Sequence, residues 1–226
     1  MPVVGLGTWQ IKKDNIENSI RSAIKSGYRH IDTALLYDNE VEIGKSLTKI
    51  FSENIITRDE MFITSKLWNS HHNIVEDAVR KSLKNLNIEY LDLYLVHWPV
   101  TFKNDKNNPL KPIEKDFTIE NFDCLEVWKR MEELVEKKLV RSIGVSNFGI
   151  KNLNLILKNC KIKPAVNQFE CNPYMSQEEL VNFCHKNTIQ VVSHTSLGSN
   201  RNSDFDLKKD NVLTELSKKI MFQFLN

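Results

Sequence analysis

Gly5-Leu6-Gly7-Thr8-Trp9-Gln10 closes the first apolar run of the chain, VVGLGTW (3–9), and its reading decides between two architectures. An open nucleotide-binding sheet asks for G-x-G-x-x-G directly after its first strand, where glycines let the backbone close on a pyrophosphate. Gln10 holds the place of the third glycine, so that fingerprint fails. Strand-like runs nevertheless recur downstream: YRHIDTA (28–34), MFITSKLW (61–68), LDLYLVHWP (91–99), RSIGVSN (141–147), AVNQFECN (165–172) and IQVVSHTSL (189–197). Each is short, rich in β-branched and aromatic residues, and stopped by polar ones.

Between these runs the period changes to that of helices. The first helix is bounded by Asp14 and Glu17 as a capping box, carries Ile16, Ile20, Ala23 and Ile24 on one face, and stops at Gly27. Others are predicted at about 40–51, 74–86, 123–138, 150–159, 176–187 and 210–220, with Ser176 and Glu179 as a second capping box. Strict alternation of strand and helix means parallel strands joined by crossovers, hence an α/β fold. Asp32, Lys66, His97, Asn147 and His194 each fall at or just past the carboxyl end of a different strand, and a (β/α)8 barrel gathers such residues on one rim. The sequence therefore predicts a (β/α)8 TIM barrel, with seven strands visible where closure needs eight. The stretch 101–122 (TFKNDKNNPLKPIEKDFTIENF) shows no sustained period and reads as a long loop on the rim beside His97. No repeat or linker divides the chain, so residues 1–226 form one domain.

The chain's 226 residues fit that count. Lys+Arg 31 against Asp+Glu 29 leaves +2, which offers no basic footprint for nucleic acid. No apolar run approaches the ~18 residues of a membrane span. No basic residue precedes the N-terminal apolar stretch, so a signal peptide is not predicted and a cytoplasmic setting is. Cys124, Cys160, Cys171 and Cys184 show no CxxC spacing and read as free thiols. His71 and His72, in the polar stretch NSHHN, read as a surface loop rather than a metal site, and no metal is expected.

On the rim, a buried Lys66 needs a counter-ion, and Asp32 can supply it. Tyr37 lies five residues beyond Asp32. An ammonium beside a phenol favours its phenolate, so the tyrosine pKa is expected to fall from ~10 toward neutrality and the hydroxyl to serve as a general acid. His97 can orient an oxygen. Together these are the parts needed to protonate a carbonyl oxygen while a hydride arrives from elsewhere, without a metal.

The motifs GLGTWQ (5–10), GYRHIDTALLYDNEVEIGKSL (27–47), ITSKLWNS (63–70), YLVHWPV (94–100), RSIGVSNF (141–148), AVNQFECNPY (165–174) and SLGS (196–199) occur in order. Through them the chain resembles the aldo-keto reductase family, near its aldose reductase-like members, from Met1 to about Leu216. The resemblance implies a (β/α)8 barrel that binds NADPH without a Rossmann fold and reduces small-molecule aldehydes or ketones. It implies Tyr37 as proton donor, Lys66 and Asp32 as the pair that tunes it, and His97 as the orienting group. Ser146, Asn147 and Gln168 would hold the nicotinamide carboxamide, with Thr8, Trp9, Asp32, His194, Thr195, Leu197 and Ser199 also lining the cofactor. Trp9, Leu36, His97 and Trp98 would form the substrate walls. No nucleic acid, membrane or obligate protein partner is implied.

Two departures stand out. Where the family usually places a tyrosine that stacks on the nicotinamide ring, this chain has His194, followed by Thr195-Ser196-Leu197-Gly198. The family's next strand and its Lys-Ser segment, which hold the adenosine 2′-phosphate, are absent, and the chain ends in KKIMFQFLN. A C-terminally truncated barrel is therefore expected, with weak NADPH binding, exposed first and seventh strand edges and a tendency to self-associate. Ile220, Met221, Phe222, Phe224 and Leu225 would cover that opening or add to its exposure. The competing expectation is a catalytically impaired chain that binds ligand or partner without turnover.

Overall fold

The computed structural model describes residues 1–112, 115, 117–198 and 206–219. Its strands are β1 (Leu6–Gly7), β2 (His30–Asp32), β3 (Phe62–Leu67), β4 (Leu91–Val96), β5 (Thr101–Phe102), β6 (Ile119–Glu120), β7 (Val140–Ser146), β8 (Val166–Glu170) and β9 (Gln190–His194). The helices are α1 (Ile16–Lys25), α2 (Glu40–Ser52), α3 (Val75–Leu86), α4 (Cys124–Glu136), α5 (Ile150–Asn159), α6 (Glu178–Lys186) and α7 (Asn211–Lys219). Seven strands form one all-parallel sheet in the order β1-β2-β3-β4-β7-β8-β9. Each predicted strand is present, though the first is only two residues long.

The sheet is curled. In a flat sheet β2 and β8, four steps apart in that order, would stand ~19 Å from each other at ~4.8 Å per step. Gln168 on β8 nevertheless donates to the Asp32 carboxylate on β2 across 2.8 Å. Curling separates two cores. The larger lies between strands and helices, and includes Ile20, Ile31, Leu47, Ile63, Val79, Tyr94, Met131 and Leu153. The smaller lies inside the curl, where Leu93, Leu95 and Val166 meet Phe62 and Val192. Gly144 on β7 is a necessity of this inner packing, because a Cβ there would sit 2.6 Å from the Val166 carbonyl oxygen and 2.8 Å from Leu95. Among the described residues β1 pairs only with β2 and β9 only with β8, so the arc has two free edges. Residues 220–225, expected near that opening, lie outside the described residues.

Helix boundaries agree with the sequence period within two residues, but two expected caps do not form. Asp14 sits in a short 3-10 turn (Lys13–Asn15), so the residue before α1 is Asn15. Gln177, left-handed at φ 50°, precedes α6. Neither supplies a side-chain cap. The capping box that does form joins Thr57 and Glu60 ahead of β3. Gly27 closes α1 as expected: its φ of 90° lets Tyr28 N–H reach the Ala23 carbonyl at 2.9 Å.

Two rim expectations are corrected. The 101–122 stretch carries an antiparallel hairpin, β5 with β6, and Phe102 stacks on Phe117 at 3.9 Å between centroids. His71 and His72 are buried rather than in a surface loop. His72 Nδ1 lies 2.8 Å from the Thr101 hydroxyl and its ring 5.3 Å from that of Phe122, so the pair sits beneath the hairpin's base. No polar-run signal can report such burial, because it comes from the loop that folds over it. The four cysteines are free. No described helix is long and apolar enough to cross a membrane.

Candidate active site

Strand alternation aims the catalytic candidates. On β3, Ser65 points outward and donates to the buried Glu40 at 2.7 Å, while the next residue, Lys66, points into the curl. Lys66 is 1% exposed. Its ammonium has three protons and three acceptors: the Asp32 carboxylate, the Thr33 carbonyl at 3.0 Å and the Tyr37 hydroxyl at 3.1 Å. Tyr37 ends a 3-10 turn (Leu35–Tyr37) that Asp38 closes in the left-handed region at φ 53°. Asn39 then ties the following turn to β1 by donating to the Thr8 carbonyl at 2.8 Å. Asp32 also accepts from Gln168, so its carboxylate is shared between β3 and β8.

The electrostatics follow burial. Burial alone would depress the Lys66 pKa, but the Asp32 charge, with Tyr37, overrides it and the net shift is upward. For Tyr37 the balance goes the other way. Burial raises the phenol, Lys66 lowers it, Asp32 raises it again, and the result lies above the ordinary tyrosine value. The expected fall toward neutrality is thus corrected: the Asp32 carboxylate cancels much of the ammonium's field, and desolvation decides. His97 is held well below its usual pKa by burial, then by Lys66 and His194, so its imidazole is neutral at pH 7. Its Nδ1 has no hydrogen-bond partner among the described residues.

Tyr37 and His97 open onto a cavity of about 1380 Å³ that runs down the inside of the curl. Trp9 packs on Tyr37 at 4.8 Å between centroids, and the Tyr37 and His97 rings stand 5.8 Å apart. Leu36 and Trp98 line the same cavity. Trp68 was not anticipated. It packs against His97 at 5.1 Å and Phe102 at 5.9 Å. It stands two residues beyond Lys66, and that spacing could have placed it on the same side. The Thr33 contact could not have been found in the sequence, since it uses only backbone.

Across the cavity, Asn147 adopts φ 62°, a conformation asparagine tolerates better than most residues. Its Nδ2 donates to the His97 carbonyl and the Ser146 hydroxyl, both at 3.0 Å, and its Oδ1 lies 3.2 Å from His194 Nε2. The asparagine amide is therefore fully engaged by protein groups. Ser146 keeps its own proton to give, and Gln168, whose Nε2 is committed to Asp32, keeps its Oε1 to accept. Thr8, His194 and Thr195 line the same cavity. Leu197 is 41% exposed and not among the lining residues. Ser199 lies outside the described residues.

Comparison with known proteins agrees with this geometry. Residues 3–221 match the Aldo/keto reductase family. The chain is 46% identical to the aldose reductase of Encephalitozoon cuniculi (strain GB-M1), covering 97% of this chain and 73% of that one. It is 42% identical to aldo-keto reductase family 1 member A1 of Mus musculus, covering 88% of this chain and 62% of the relative. The aldose reductase structure from Giardia lamblia superposes with a TM-score of 0.89 at 36% identity, covering 96% of this chain and 73% of that one. The barrel-like curl, the rim cluster and these matches agree: the chain belongs to the aldo/keto reductase family of oxidoreductases.

Proposed function

We propose that the site reduces the carbonyl of a small aldehyde or ketone, with Tyr37 as proton donor and NADPH as hydride source. The observation that carries this reading is the Lys66 ammonium, which spends two protons on Asp32 and Thr33 and the third on a tyrosine hydroxyl open to the cavity. A phenol with a raised pKa is fully protonated at pH 7, as an acid must be. When its proton leaves, the phenolate gains an ammonium 3.1 Å away. Neutral His97 donates to the carbonyl oxygen and fixes it beside Tyr37. Trp9, Trp68 and Trp98 exclude water around an apolar substrate.

The donor set suits a carboxamide: Ser146 offers a proton and Gln168 an oxygen, matching that group's carbonyl and amino ends. Asn147, with both protons committed, orients Ser146, His97 and His194. When bound, a reduced nicotinamide supplies the hydride. Tyr37→Phe keeps the ring packing and removes the acid, so aldehyde reduction should fall by ~10² to 10⁴. Measured as NADPH consumption, retention of most of the parent's rate would end this assignment. NADPH binding with no reduction by the parent would favour the reading of ligand binding without turnover.

A further inference from the structure

We propose that His194 makes the site discriminate, according to pH, between the oxidised and reduced forms of a nicotinamide cofactor. The proposal rests on the hydride-transfer reading above and concerns a residue to which that reading gives no step.

His194 ends β9 opposite Glu170 of β8 and lines the cavity. Its protonation state is written in its contacts. Both protons of the Asn147 amide go to the His97 carbonyl and the Ser146 hydroxyl, so the atom facing His194 is an oxygen. His194 Nε2, 3.2 Å from that oxygen, therefore carries a proton. Nδ1 lies 3.0 Å from the Thr195 hydroxyl, which can give or take one. A second proton on the ring thus breaks neither contact and changes only the charge.

That charge bears on the cofactor because of where the ring must lie. A carboxamide on Ser146 and Gln168, with its reactive carbon toward a carbonyl held by Tyr37 and His97, places the nicotinamide beside the ends of β7, β8 and β9. Ser146 is adjacent to the asparagine that His194 contacts, and Gln168 lies on the strand paired with β9. The oxidised ring is a cation and the reduced ring is neutral. An uncharged His194 accepts either form, whereas an imidazolium repels the cation across a poorly solvated gap. Glu170 and Asp32 favour that proton, while burial, which is the largest influence, and Lys66 oppose it. His97, which faces His194, is the more strongly depressed of the two, so His194 takes up a proton before it does.

The test is titration of the full chain with NADPH and with NADP+ from pH 8 to pH 5, read by quenching of tryptophan fluorescence. The 2′-phosphate titrates alike in both ligands and cancels in the ratio of dissociation constants. Kd(NADP+)/Kd(NADPH) should rise about fivefold or more toward pH 5. In His194→Gln, which keeps a donor toward Asn147 but cannot titrate, the ratio should stay flat. A flat ratio in the parent overturns the proposal, as does a rise that survives in the glutamine variant, which would belong to another group. A chain that binds neither form at any pH overturns the hydride-transfer reading itself and the proposal with it.

Discussion

Lys66→Met replaces an ammonium by a thioether of similar length, and the geometry gives a magnitude for each consequence. Removing one partner of a buried ion pair costs ~3 to 5 kcal/mol, mostly for the charge left behind. Asp32 keeps 17% side-chain exposure and the Gln168 amide, which places the loss at the lower end, about 3 kcal/mol. With a urea slope of ~2 to 3 kcal/mol per molar, the unfolding midpoint should drop by about 1 to 1.5 M at pH 7. The pH dependence has a definite sign. The folded pKa of Lys66 is raised above 10.5, so its contribution is fully present below the unfolded value and lost as pH rises through the folded one. The parent should therefore lose stability above pH ~10.5, and the methionine variant should lack that alkaline loss. Carbonyl reduction should fall by ~10² to 10⁴, because nothing then opposes the burial that raises the Tyr37 pKa. Urea curves followed by tryptophan fluorescence, together with rate profiles from pH 6 to 9, read both effects. An unchanged midpoint, or a rate profile that overlays the parent's, refutes the reasoning.

At the opposite ends of the strands, the buried Asp92 accepts from Arg58 at 2.8 Å, the Ile63 N–H at 2.9 Å and Arg141 at 3.2 Å. Asp92→Ala takes the acceptor from the buried Ile63 N–H and the counter-ion from Arg58, and should cost about 3 kcal/mol of stability without changing cofactor affinity; a loss below ~0.5 kcal/mol in urea would contradict it. Burial holds His72 down to about 3 and His71 to about 4. Depressed bases contribute stability that is present above their unfolded pKa of ~6.5 and lost as pH falls toward the folded values. The urea midpoint of the parent should fall steeply below pH 6.5 and that of His72→Phe less so; parallel falls in the two proteins would show that His72 does not carry the effect.

The elements were legible because two periods alternate without ambiguity. Ile16, Ile20 and Ile24 mark a helix face, and MFITSKLW marks a strand buried on both sides. Asp32, Lys66 and His97 follow from strand ends and Tyr37 from its short chain distance to Asp32, and the four side chains lie together. What escaped depends on distance in three dimensions. Nothing local announces that a loop will cover His71 and His72. A two-residue ladder such as Thr101–Phe102 with Ile119–Glu120 is too short to show a period. The caps failed because Asp14 entered a 3-10 turn of its own and because the left-handed Gln177 stands between Ser176 and the first residue of α6.

The sign of the Tyr37 shift has a further consequence for the proposed chemistry. Asp32 neutralises Lys66 in the resting site, so the ammonium does little for a neutral phenol, and the phenol keeps its proton. A phenolate is different: its full charge 3.1 Å from Nζ, in a pocket with little water, draws on the same ammonium far more strongly. The stabilisation is therefore small before proton transfer and large as transfer proceeds, which is the property that lowers a barrier rather than merely tightening binding. A site in which Lys66 had already pulled the phenol toward neutrality would have spent part of that difference in the ground state. On this argument burial, helped by the Asp32 carboxylate, keeps Tyr37 an acid until a carbonyl oxygen is there to take its proton, and the ammonium acts as that proton leaves.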